Sequence, residues 1–187
     1  ERALDSLFVT DRRCEDQVIL VADFTRDGQN DIVIAGGGAE FDPDGPEYRS
    51  RLYTQRNGRW TVTHDIFPFT TNAAAMCAMD FDNDGDLDVF VGGGVRPDRY
   101  PECDRSALLI NDGAGRFRDV TDSLAPDLRN CGIVRSAVWT DTDLDGTFEL
   151  VVVGEWIAPQ IWKRRGSQFV NTAKEAGTDT LVGWWYS

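Results

Sequence analysis

The nine residues Asp80-Phe-Asp82-Asn-Asp84-Gly85-Asp86-Leu-Asp88 alternate acid and spacer, bend at a glycine, and run directly into Val89-Phe-Val-Gly-Gly. Two further stretches align with them without gaps: Asp23-Phe-Thr25-Arg-Asp27-Gly28-Gln29-Asn-Asp31 and Asp141-Thr-Asp143-Leu-Asp145-Gly146-Thr147-Phe-Glu149. An apolar stretch precedes each copy, and another follows it: Ile32-Val-Ile-Ala, Val89-Phe-Val and Leu150-Val-Val-Val. Self-similarity at a fixed period marks a repeat architecture, and here the period is roughly sixty residues.

Each copy is followed downstream by a second hairpin signal. Arg51-Leu-Tyr-Thr-Gln turns at Asn57-Gly58 into Trp60-Thr-Val-Thr, and Ala107-Leu-Leu-Ile turns at Asn111-Asp-Gly-Ala-Gly115 into Phe117-Arg-Asp-Val-Thr121. Gln160-Ile-Trp-Lys turns near Gly166 into Phe169-Val. Asn-Gly and Asp-Gly supply the positive φ values that tight hairpins require. The unit is therefore four short strands, A to D, with an acidic A–B turn, which fits a propeller blade better than a sandwich or barrel. The expected fold is all-β: a β-propeller fragment of about three four-stranded antiparallel blades, forming a single partial propeller over residues 1–187. Blade one is expected over 13–72, blade two over 73–130 and blade three over 131–178. Residues 1–12 read as the outer strand of a preceding blade, because Leu7-Phe-Val-Thr10 resembles Phe117-Arg-Asp-Val-Thr121; residues 179–187 read as the start of a further one.

Acids at positions 1, 3, 5 and 9 of a turn, with glycine at 6, are a hard-cation pattern. Carboxylate oxygens suit Ca²⁺ at ~2.3–2.6 Å, and the glycine permits the bend that makes them converge. Without a cation, carboxylates gathered this closely repel by about 4 kcal/mol per pair at an effective dielectric near 20. A single acidic turn reads as a solvated hairpin; three aligned copies favour metal. The expected ligands are Asp23, Thr25, Asp27, Gln29 and Asp31; Asp80, Asp82, Asp84, Asp86 and Asp88; and Asp141, Asp143, Asp145, Thr147 and Glu149. Position 7 (Gln29, Asp86 or Thr147) is expected to use its backbone carbonyl. The second turn is the most complete, since Thr25 is a neutral ligand and Glu149 is one methylene longer. An EF-hand is excluded, because position 12 is Ile34, Val91 or Val152 where that loop needs Glu.

Composition narrows the function further. The chain has 187 residues with 19 Lys+Arg against 32 Asp+Glu, a net charge of -13, which counts against a nucleic-acid partner. No apolar run approaches the ~20 residues of a membrane span. The start at Glu1 is expected to mark a processed or excised piece. The single His64 lies in the alternating run Arg59-Trp-Thr-Val-Thr-His64 and reads as structural. Four cysteines without CxxC spacing exclude a zinc site.

The stretch Asp80 to Gly93, together with Asn111-Asp-Gly-Ala-Gly-Arg-Phe-Arg-Asp-Val-Thr121, resembles FG-GAP/VCBS-type repeats. Such repeats build the β-propellers of integrin α-subunits and of many bacterial surface and secreted proteins. The resemblance implies calcium in the A–B turns on one face of a propeller, and a family that stabilises, presents and binds.

The expected function is a calcium-binding extracellular or cell-surface β-propeller module for protein or glycan adhesion, located outside the cell, on its surface or in the periplasm. Metal would rigidify the face of the A–B and C–D turns, leaving the B–C loops to meet a partner. The alternative is part of a calcium-dependent polysaccharide-processing enzyme, with Asp42 and Asp44 as the acid/base pair. A third reading is a structural repeat within a longer protein. Open propeller flanks imply self-association or the remaining blades of a longer parent chain. Cys103, in the B–C loop of blade two, and Cys131, leaving that blade on the same face, are expected to form a disulfide, with Cys14 as the free thiol or the competing partner.

Overall fold

The computed structural model describes Val9, residues 11–38, Glu40, Asp42 and residues 45–186. The outer strand expected at the N-terminus, and Asp44, lie outside the described residues.

Three antiparallel sheets succeed one another along the chain. The first is β1 (Asp16–Ala22), β2 (Asp31–Gly36), β3 (Arg51–Arg56) and β4 (Arg59–His64), in that order. The second is β5 (Ala73–Met79), β6 (Asp88–Gly93), β7 (Ala107–Asn111) and β8 (Phe117–Asp119). The third comprises β9 (Ile133–Thr140), β10 (Glu149–Ile157), β11 (Gln160–Arg165) and β12 (Gln168–Asn171). A two-residue β13 (Gly183–Trp184) pairs with the end of β10 at Glu155 and Ile157, making the third sheet five-stranded. The all-β expectation of about three antiparallel blades holds, and the described residues form no closed barrel.

The first strands β1, β5 and β9 lie side by side, as the inner strands of neighbouring blades do. Period-two alternation explains the packing between sheets. On β6, Val89 and Val91 enter a core shared with the first sheet, beside Phe24, Val33, Leu52 and Phe117. Phe90, one residue out of phase, enters a second core with Leu128 and with Val134, Leu150 and Trp162 of the following unit. All three β6 residues are fully buried, each contributing on the order of 1.5–3 kcal/mol. Among the described residues the middle sheet is thus covered on both faces and the outer two on one each.

The A–B ladders repeat a feature invisible in the hydrophobic pattern. Each slips register once, leaving Gln17, Ala74 and Arg135 without a paired residue, in each case six positions before the first acid of the turn. A β-bulge re-aims its side chain, and all three of these residues line one cleft of about 290 Å³. Facing the bulges are glycines that allow close approach: a Cβ on Gly154 would lie 1.9 Å from the Ile133 carbonyl oxygen, and one on Gly93 2.2 Å from that of Asp104.

Candidate metal centres

The three acidic turns close by one hydrogen-bond scheme. The position-1 carboxylate accepts the amides of positions 5 and 6: Asp23 from Asp27 and Gly28 at 3.1 and 2.8 Å, Asp80 from Asp84 and Gly85 at 3.2 and 3.0 Å, and Asp141 from Asp145 and Gly146 at 3.1 and 2.9 Å. The position-9 carboxylate reaches back to the position-2 amide, from Phe24 to Asp31 and Phe81 to Asp88 at 3.0 Å, and from Thr142 to Glu149 at 2.9 Å. Position 4 takes a left-handed conformation in every turn, with φ of 54° at Arg26, 63° at Asn83 and 61° at Leu144. Gly28, Gly85 and Gly146 follow at 81°, 93° and 85°, conformations that L side chains adopt only with strain.

The turns differ in what their acids face. In the second, oxygens of Asp80, Asp82 and Asp88 lie within 4.8 Å of one another. The Asp86 side chain is also drawn inward: the residue is 5% exposed, and its Oδ1 is buried with no hydrogen-bond partner. Burial, aided by the neighbouring Asp84, pushes the Asp86 carboxyl up to about 6. Burial also pushes Asp88 up to about 7, although the Asn111 and Phe81 amides oppose the shift. Four acids sharing a partly dry turn with unsatisfied oxygen suit a hard divalent cation.

In the first turn, Thr25 stands at position 3, and among the described residues no three acids there converge as they do in the second. The buried Asp31 still leaves Oδ1 without a hydrogen bond, and burial raises its pKa. The Thr25 hydroxyl lies beside this carboxyl without a well-formed hydrogen bond. Arg56 approaches Asp27 at 3.8 Å.

In the third turn, oxygens of Asp141, Asp143 and Glu149 also gather within 4.8 Å. Here, however, the Lys163 ammonium from β11 bonds Asp143, and lies 2.7 Å from Asp145 and 3.5 Å from Glu149. Its hydrogen bond holds the Asp145 carboxyl down to about 2. Sequence reading overlooked Lys163. The one available signal was its register, since aligning the repeats puts it level with Thr54 and Ile110, where the other blades carry no charge.

All four cysteines are free thiols, so the expected Cys103–Cys131 disulfide is absent from the structure. Cys131 instead directs its buried thiol at Ser106 Oγ, 3.6 Å away, and burial raises it to about 11. Cys103 bridges to Val95 across the B–C loop. His64 has the structural partner its position suggests, Asp11 at 2.9 Å.

A chain of successive four-stranded antiparallel sheets with acidic A–B turns defines a propeller-type repeat protein. A family model described as FG-GAP-like repeat matches residues 22–91, from the end of β1 into β6. The chain therefore carries FG-GAP-like repeat sequence, in agreement with the resemblance of its motifs. No curated protein matches the chain. Among the described residues no helix is long and apolar enough to cross a membrane.

Proposed function

We propose that this chain is a calcium-stabilised binding module of extracellular type, whose second acidic turn is its principal metal site. The observation that carries this reading is the convergence of Asp80, Asp82 and Asp88 around a turn that also buries an unpartnered Asp86 oxygen. Calcium would join the end of β5 to the start of β6 and neutralise the acids there. Sites of extracellular modules bind at ~10⁻⁴–10⁻³ M, far above cytosolic calcium, which favours an exported location.

The opposite face supports a binding role. Tyr100, Pro101, Ile133, Trp156 and Ile157 line a cleft of about 420 Å³ formed by the B–C loop of the second sheet and the end of β10. Trp156 donates its indole N–H to the Tyr100 hydroxyl at 2.7 Å and meets Trp184 edge to face at 5.1 Å. Rigid aromatics with polar tips suit recognition of a protein or glycan.

The test is thermal melting with calcium or with excess chelator. Binding to the native state alone adds ~2.7 kcal/mol at one hundred times the dissociation constant. Calcium is expected to raise the melting temperature of the wild type and to leave Asp82→Ala almost unmoved. Superimposable wild-type curves in calcium and chelator would defeat the calcium reading.

A further inference from the structure

We infer that the third acidic turn takes no divalent ion, because Lys163 supplies its cation from within the chain. The inference rests on the calcium reading of the second turn and separates the three turns into two kinds. The Lys163 ammonium contacts the acids at positions 3, 5 and 9, namely Asp143, Asp145 and Glu149. The ammonium donates hydrogen bonds to Asp143 and Asp145 and pairs by charge with the buried Glu149 Oε1, which accepts no hydrogen bond. The remaining acid, Asp141, accepts the Asp145 and Gly146 amides just as Asp80 accepts those of Asp84 and Gly85, so what sets the third turn apart is Lys163. A metal ion would need oxygens of these same acids at ~2.3–2.6 Å, beside an ammonium that repels it and already offsets their charge.

The ladder makes this placement a consequence of fold. Trp162 pairs with Leu150, so Lys163 sits beside the strand start where Glu149 enters the turn. Glu149 is completely buried, and only 23% of the Lys163 side chain is exposed. An ordinary surface ion pair would leave both groups in water, and would be worth little. The chain holds only two lysines, Lys163 and Lys174, among 19 basic residues. At this position the compact ammonium does what the planar guanidinium of arginine, with its wider fork, would do poorly. Being covalently attached, it faces the turn at a high effective concentration, against which millimolar calcium competes poorly. The third blade thereby keeps its turn closed whether or not calcium is present.

Calorimetric titration with calcium chloride tests the inference on the wild type, Asp143→Asn, Lys163→Met and the second-turn control Asp82→Ala. Asp143→Asn is expected to bind as many ions as the wild type, whereas Asp82→Ala binds one fewer and Lys163→Met one more. Loss of an ion in Asp143→Asn, or no gain in Lys163→Met while Asp82→Ala still loses its ion, would overturn the inference. A wild type that binds nothing would instead defeat the calcium reading, and amide hydrogen exchange in chelator then decides the role of Lys163. Lys163→Met is expected to speed exchange at Gly146 and Thr147 at least tenfold, leaving Gly28 and Gly85 unchanged. Unchanged rates at Gly146 and Thr147 would overturn it.

Discussion

Asp88 is the residue in which fold and charge conflict most. Both its oxygens accept backbone amides, from Asn111 and Phe81 at 3.0 Å, yet burial still lifts its carboxyl to about 7. An unfolded aspartate titrates near ~3.9, so between those values the folded, metal-free chain holds a proton that the unfolded chain has lost. That contribution to stability is fully present below the unfolded value and disappears as pH rises through about 7. Asp86, lifted to about 6, acts in the same direction. In chelator the melting temperature is expected to fall between roughly pH 5 and pH 7.5. Saturating calcium should flatten that slope by holding the acids ionised, and Asp88→Asn should flatten it without calcium. Equal slopes in all three conditions, followed by circular dichroism, would contradict this account. The acidic pattern made these positions legible from sequence alone. The burial of the Asp86 side chain was not, because it depends on Arg26 and Gly113 closing over it from neighbouring turns.

Between elements, one recurring contact ties the second and third blades each to the acidic turn of the blade before. Asn111, two residues beyond the partner of Val89, donates from Nδ2 to the Phe24 carbonyl at 2.9 Å. Arg164, two residues beyond the partner of Leu150, donates to the Phe81 carbonyl at 2.6 Å. Phe24 and Phe81 occupy the same position of their turns, so different side chains perform the same act in successive blades. Asn111 is almost wholly buried and also accepts the Asp112 and Gly115 amides, so its loss leaves several buried groups unpaired. Asn111→Ala is expected to cost roughly 2–3 kcal/mol, and Arg164→Ala about 1 kcal/mol, in urea unfolding. Equal costs would contradict the ranking. The hairpins themselves were readable, since Asn-Gly, Asp-Gly and alternating apolar residues act over a few neighbours. The straps were not, because Asn111 and Arg164 reach partners 87 and 83 residues away, and the bulges at Gln17, Ala74 and Arg135 leave no mark in the apolar pattern.

At the scale of the molecule, the two outer faces that the described residues leave uncovered are complementary in kind. Aligned on their turns, Ile19 and Val21 of β1 correspond to Met76 and Ala78 of β5, which pack into the core shared with the preceding sheet. They correspond equally to Ala137 and Trp139 of β9, which pack against the middle sheet in the same sense. In the first sheet this surface has no neighbour among the described residues, and Ile19 and Val21 are 58% and 57% exposed. The third sheet shows the converse: Val138 corresponds to Cys77, which faces the following unit in the second core, yet Val138 is 52% exposed. One end of the chain therefore offers the surface that the other end is built to receive, which makes the contact heterologous, head to tail. Two three-blade chains joined twice in this way would make a six-bladed ring, within the four to eight blades of known propellers, and the remaining blades of a longer parent chain would cover the same faces. Self-association to a discrete dimer is expected in light scattering of the chain as given. Ile19→Glu and Val138→Glu, on opposite flanks, should each abolish it, because either charge is buried at both junctions of the ring. A monomer at every concentration would refute the ring, whereas unlimited growth would mean that the head-to-tail rotation does not close at six blades.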